Sequence, residues 1–121
     1  MAKRILVVDD DVMNLKMAEF ILKQESYVVD KVESGMECLL YLREEHPDLI
    51  LLDIEMPVMS GIKTLEVIKE NEDMADIPVI FLTASADSDV VLEAGKLGAV
   101  DYVTKPFLPQ ELLKRVEKVL W

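Results

Sequence analysis

Acidic side chains stand where short apolar runs stop. Ile5-Leu6-Val7-Val8 leads into Asp9-Asp10-Asp11, and Leu49-Ile50-Leu51-Leu52 leads into Asp53, with Glu55 two residues on. Val79-Ile80-Phe81-Leu82 ends in Thr83-Ala84, and the stretch from Val100 to Thr104 ends in Lys105-Pro106. Carboxylates gathered in one place repel one another and raise each other's pKa, and a hard divalent cation removes that cost. Mg2+ suits such a set, because it takes one or two carboxylates and completes its shell with water and phosphate oxygens. A carboxylate is also a nucleophile toward phosphorus, giving an aspartyl phosphate. The transferring group carries negative charge on its outer oxygens and calls for a cation and a hydroxyl donor, here Lys105 and Thr83. The inventory matches an aspartate that accepts a phosphoryl group, with Mg2+ as cofactor.

That chemistry requires the run ends to converge. Near-continuous apolar runs are the mark of strands buried on both faces, as in a parallel sheet covered by helices. The stretch from Val28 to Val32 is interrupted by Asp30 and Lys31 and reads as an edge strand. Helical stripes lie between the runs: Leu15, Ala18 and Leu22; Cys38, Leu39 and Leu42; Ile62, Leu65 and Ile68; and Leu112, Leu113, Val116, Val119 and Leu120. Ser88 to Leu97 is helical by position, with a blurred stripe around Val90 and Val91. The pattern is β-α five times over. It predicts a doubly wound α/β fold, one five-stranded parallel sheet with five helices on both faces. In such sheets ligands bind beyond the carboxyl ends of the strands, where the strand order reverses. With the flavodoxin-like order 2-1-3-4-5, the first and third strands flank that point, so Asp9, Asp10 and Asp53 meet there.

Length and composition narrow the class. The 121 residues suit one domain, 1–121, and 51% hydrophobic residues argue against disorder. Thirteen basic against 24 acidic side chains leave a formal charge of −11, which repels phosphate backbones and anionic membranes. Direct nucleic-acid binding is not expected. Cys38 is the single cysteine and excludes an internal disulfide. No apolar stretch approaches a membrane span, and none has the length of a signal peptide. The expected location is cytoplasmic.

Taken together, Val7-Val8-Asp9-Asp10, Leu51-Leu52-Asp53, Met56-Pro57, Leu82-Thr83-Ala84 and Lys105-Pro106-Phe107 resemble the receiver domain of two-component response regulators, of the chemotaxis-regulator type. Each motif alone is weak; their order, spacing and strand-end placement are specific. The resemblance implies that Asp53 accepts the phosphoryl group from a sensor histidine kinase or phosphotransfer protein. It implies that Asp10, Asp53 and the Glu55 backbone carbonyl ligate Mg2+, with Asp9 acting through water. Lys105 would pair with the phosphoryl group, and the Lys105–Pro106 bond would be cis. Thr83 and Tyr102 would form a switch pair acting on the face of helix four, strand five and helix five. The partner downstream would be an output domain or target protein. A phosphorylation-dependent dimer is a further expectation. Asp101, Glu111 and Arg115 match the charge pattern of one such dimer, whereas Val91 and Leu97 depart from it. The implied role is a signalling module that assists its own phosphorylation and dephosphorylation, not a metabolic enzyme.

Plainer roles stand beside these. Asp11 reads as the cap of the first helix rather than a metal ligand. Thr83 alone suits a helix cap, and Tyr102 alone an ordinary strand aromatic. His46 belongs to a solvated helix end, Cys38 to the core and the methionines to packing. Trp121 either covers the end of the last helix or begins a partner contact. Ser60 and Ser26 replace the Asp and Gly that the family commonly carries. Glu55 and Ser85 border the path of hydrolytic water. Two alternatives remain: a haloacid-dehalogenase-like phosphatase and a docking receiver independent of phosphorylation. The phosphatase needs a nucleophile near the chain start, further acidic ligands and usually a cap domain. The docking receiver leaves the full set of site residues unused.

Overall fold

The computed structural model describes residues 2–85 and 88–121. Strands and helices alternate without exception: β1 (Arg4–Val8), α1 (Val12–Lys23), β2 (Val28–Val32), α2 (Gly35–Glu44), β3 (Leu49–Asp53), α3 (Gly61–Glu70), β4 (Val79–Thr83), α4 (Ser88–Lys96), β5 (Asp101–Thr104) and α5 (Pro109–Leu120). The five strands form one sheet in the order β2-β1-β3-β4-β5, and every pairing is parallel. Strand and helix identities follow the expectation, and the order is the predicted one.

Side-chain alternation along the strands splits the core into two layers. Ile5, Val7, Leu49, Leu51, Ile80 and Leu82 face one side and pack with Leu15, Ala18 and Leu22 of α1 and Leu112 and Val116 of α5. Leu6, Val8, Ile50, Leu52, Val79 and Phe81 face the other, against Cys38 and Leu42 of α2, Leu65 and Ile68 of α3 and Ala94 of α4. All residues of β3 and β4 are buried. This double burial explains the unbroken apolar runs. At the β2 edge only Val29 is buried, and Asp30 and Lys31 stay in reach of solvent.

Caps set where the helices begin. Asp11 accepts from the Met13 N–H at 2.9 Å and caps α1, the role read from its place in the acidic run. Ser34 accepts from the Glu37 N–H at 3.0 Å and caps α2. Ser60 accepts from the Lys63 N–H at 3.2 Å, so it starts α3 as an acidic cap would. Ser26 lies beyond α1 at φ 66°, the left-handed backbone that glycine adopts without strain. Trp121 rests against the amino-terminal side of the molecule. Its Nε1 donates to the Tyr27 hydroxyl at 3.2 Å, and Lys3 lies 5.2 Å from its ring centre. No helix among the described residues is long and apolar enough to cross a membrane.

Candidate phosphoacceptor site

The carboxyl ends of β1, β3 and β4 and the segment after β5 converge on one depression. β1 pairs with β3 so that Val8 lies opposite Leu52, which sets Asp9 beside Asp53. β4 pairs with β5 so that Thr83 lies opposite Thr104, one residue before Lys105. Asp9 and Asp53 are fully buried, Thr83 is 1% exposed, and Asp10 is open to solvent. Carboxylate oxygens of Asp9, Asp10 and Asp53 lie within 4.8 Å of one another.

Lys105 is the cation that faces the buried pair. Its Nζ donates to Asp53 Oδ1 at 2.9 Å and approaches Asp9 Oδ2 at 3.4 Å. The Lys105–Pro106 peptide is cis, as the resemblance implied. The Glu55 N–H also donates to Asp53 Oδ1, at 3.2 Å. Asp9 Oδ1 accepts from the Asp11 N–H at 2.9 Å, which holds the first carboxylate in place. Asp53 Oδ2 is buried and has no hydrogen-bond partner among the described residues. A buried carboxylate oxygen without a donor is costly and marks a site made for something else.

The electrostatics agree. Burial pushes the Asp53 carboxyl up to about 7. The Lys105 hydrogen bond opposes that rise, and the neighbouring Asp9 charge adds to it. Burial alone would depress the Lys105 ammonium, but the hydrogen bond to Asp53 and the charges of Asp53 and Asp9 hold it above its ordinary value. One ammonium thus faces two buried carboxylates and an exposed third. This leaves a local excess of negative charge and an orphaned oxygen, a donor set that fits Mg2+.

The backbone is shaped for this approach at Gly61. A Cβ there would sit 2.2 Å from the Asp53 carbonyl oxygen and 2.8 Å from the Ile54 Cα. The Gly61 N–H donates to the Ile54 carbonyl at 2.9 Å, so the start of α3 lies directly against the end of β3.

The chain matches the response regulator receiver domain model over residues 5–117. It belongs to that family. The phosphate regulon transcriptional regulatory protein PhoB of Escherichia coli (strain K12) is 39% identical to it over 120 residues, 99% of this chain and 52% of that protein. The DNA-binding response regulator MtrA of Mycobacterium tuberculosis (strain CDC 1551 / Oshkosh) is 39% identical over 116 residues, 96% of this chain and 50% of that protein. The receiver chain therefore spans about half the length of these relatives. Among solved structures, the chemotaxis protein CheY4 of Vibrio cholerae superposes with a TM-score of 0.94 at 28% identity, covering 99% of this chain and 100% of that one. A CheY-like receiver domain protein from Methanospirillum hungatei JF-1 gives 0.90 at 32% identity, covering 99% and 94%. The receiver family is that of two-component response regulators, a family of signalling domains. The phosphatase and docking alternatives find no support in these likenesses.

Two features of this receiver were not foreseen. Glu55, which the resemblance sets beside the path of hydrolytic water, turns its carboxylate onto β4. Its Oε1 accepts from the Ala84 N–H at 2.9 Å, and its Oε2 lies 3.1 Å from Thr83 Oγ1. Sequence shows only that an acid stands two residues after Asp53; where its side chain reaches depends on the gap between β3 and β4. Arg115 is the second. It donates to Asp101 at 2.7 Å and to Glu111 at 2.8 Å, and its guanidinium lies 5.9 Å from the centre of the Tyr102 ring. The three charged residues matched to a dimer pattern are bonded to one another within one chain. Tyr102 is half-buried and packs against the layer that includes Phe81 and Ala94.

Proposed function

We propose that Asp53 is the phosphoryl acceptor of a single receiver domain spanning residues 1–121. The observation that carries this reading is the buried Asp53 Oδ2, without a partner among the described residues, beside Lys105 and opposite Asp9 and Asp10. The donor is a phosphohistidine on a sensor histidine kinase or phosphotransfer protein. An Asp53 oxygen attacks phosphorus, an O–P bond forms and the P–N bond breaks. Its electron pair goes to the imidazole nitrogen, which takes up a proton. Lys105 holds the acceptor carboxylate in line and meets the negative charge gathering on the phosphoryl oxygens. Thr83 supplies a hydroxyl to one of those oxygens.

Asp10, Asp53 and the Glu55 backbone carbonyl would hold Mg2+, with Asp9 reaching it through water. When bound, the ion neutralises the carboxylates and the incoming phosphoryl charge. Asp9 orients the site, because its second oxygen is already committed to the Asp11 N–H.

The added charge, about −1.5 to −2, draws Thr83 and Lys105 inward and shifts a two-state equilibrium of the α4-β5-α5 face, with Tyr102 following Thr83. A dimer through that face requires Arg115 to exchange its partners within the chain for partners across the interface. The output is a further domain or target protein. Relatives named as DNA-binding and transcriptional regulators support an output on DNA, carried outside this acidic domain. A cytoplasmic setting agrees with a kinase partner that uses ATP.

The test is acid-labile labelling by a kinase or small phosphodonor in the presence of Mg2+. Asp53→Asn is expected to abolish it. Labelling of the Asn variant at the wild-type level would refute the assignment.

A further inference from the structure

Glu55 has no side-chain task in the transfer described above, yet its carboxylate is turned into the site. One oxygen takes the Ala84 N–H, and the other lies at the Thr83 hydroxyl. That hydroxyl has one proton, which the Ser85 carbonyl, 2.9 Å away, also draws upon. The Ala84 N–H is therefore the firmer of the two contacts. Both donors stand at the end of β4, and Asp53 pairs with Leu82, the residue before Thr83. The Glu55 backbone is tied to the acceptor itself through its N–H to Asp53 Oδ1. A carboxylate spanning an N–H and an adjacent O–H presents the same two-oxygen anionic edge as a phosphoryl group.

We propose that Glu55 is an internal competitor for the phosphoryl group on Asp53. In the resting protein its carboxylate occupies the Thr83 and Ala84 donors, and phosphorylation expels it. The inference rests on Asp53 being the acceptor. Glu55 is exposed, so its side chain is free to swing into solvent when displaced. Like charge favours that displacement, because the phosphoryl group adds charge of the same sign beside it. Until then Glu55 pins the end of β4 in the resting position. It acts as a positioning residue, setting the rate of phosphoryl gain and the resting bias of the Thr83 switch.

The test compares Glu55→Ala and Glu55→Asp with the wild type, using radiolabelled acetyl phosphate and Mg2+. Aspartate keeps the charge and loses the reach. Both variants are expected to label about tenfold faster, the weight of one hydrogen bond to a charged group. In both, the Ala84 amide proton moves upfield before any phosphodonor is added, while the rest of the amide spectrum reports an unchanged fold. Wild-type rates in both variants, or an unmoved Ala84 amide, would overturn the proposal. So would a fast Ala variant with an Asp variant at the wild-type rate, since charge alone would then be the cause. Asp53→Asn in each background separates the two readings. Label on these double variants sinks the acceptor assignment. Silent double variants combined with wild-type rates for the Glu55 variants sink only the competitor.

Discussion

Asp53 is a charged residue placed where charge is unwelcome. It is fully buried, one oxygen has no donor among the described residues, and its carboxyl is pushed up to about 7 from 3.8, chiefly by burial. The sign of the linkage follows. A carboxyl raised in the folded state costs nothing below about pH 4, where folded and unfolded chains both hold the proton. It destabilises the fold progressively as pH rises toward about 7, where the folded chain must release the proton in place. Metal-free protein is therefore expected to lose roughly 4 kcal/mol through this group between about pH 4 and about pH 8. Asp53→Asn flattens that slope. Millimolar Mg2+ restores stability above about pH 7 and has little effect near pH 4, because binding requires the ionised carboxylate. Urea midpoints with and without Mg2+ across this range check each part. A metal-free midpoint that rises with pH would contradict the account. The identity of Asp53 was legible in the sequence, as an acid closing an apolar run. Its unpaired oxygen was not, because pairing depends on where Lys105, 52 residues away along the chain, comes to rest.

At the scale of elements, the site depends on how closely α3 starts beneath β3. Gly61 permits an approach that a methyl group would obstruct at 2.2 Å from the Asp53 carbonyl, a backbone atom with no freedom to yield. Gly61→Ala is expected to destabilise the domain by about 1–3 kcal/mol, the usual cost of overpacking. It should also slow labelling of Asp53, because the relief comes by displacing the end of β3. Denaturant midpoints and labelling rates test the pair of effects; a destabilised variant with wild-type labelling would break the link between them. The strands and helices themselves were readable from apolar period. Ser60, where the family commonly carries Asp, keeps the α3 cap, since a hydroxyl accepts an N–H as a carboxylate does. The path of the Glu55 side chain belongs to this scale too, for it crosses from the β3 end to the β4 end.

Across the whole molecule the net charge of −11 has two parts. Most acids lie on the solvated surface, while Asp9, Asp10 and Asp53 form a concentrated group that calls for a cation. Neither part attracts a phosphate backbone. The isolated domain is expected to show no binding to duplex DNA by fluorescence anisotropy, even at low salt where such attraction is strongest. Salt-sensitive binding would show that this domain itself contributes to a grip on DNA. The sequence by itself determined the alternation of strand and helix, the buried and edge strands, and the residue types at the strand ends. These follow from local patterning and from burial on one or two faces. Only the tertiary structure decided which oxygen of Asp53 stays unpaired, that Glu55 takes the donors of Thr83 and Ala84, and that Arg115 closes on Asp101 and Glu111. Those outcomes rest on distances between elements far apart in the chain, set by sheet order, register and helix packing together.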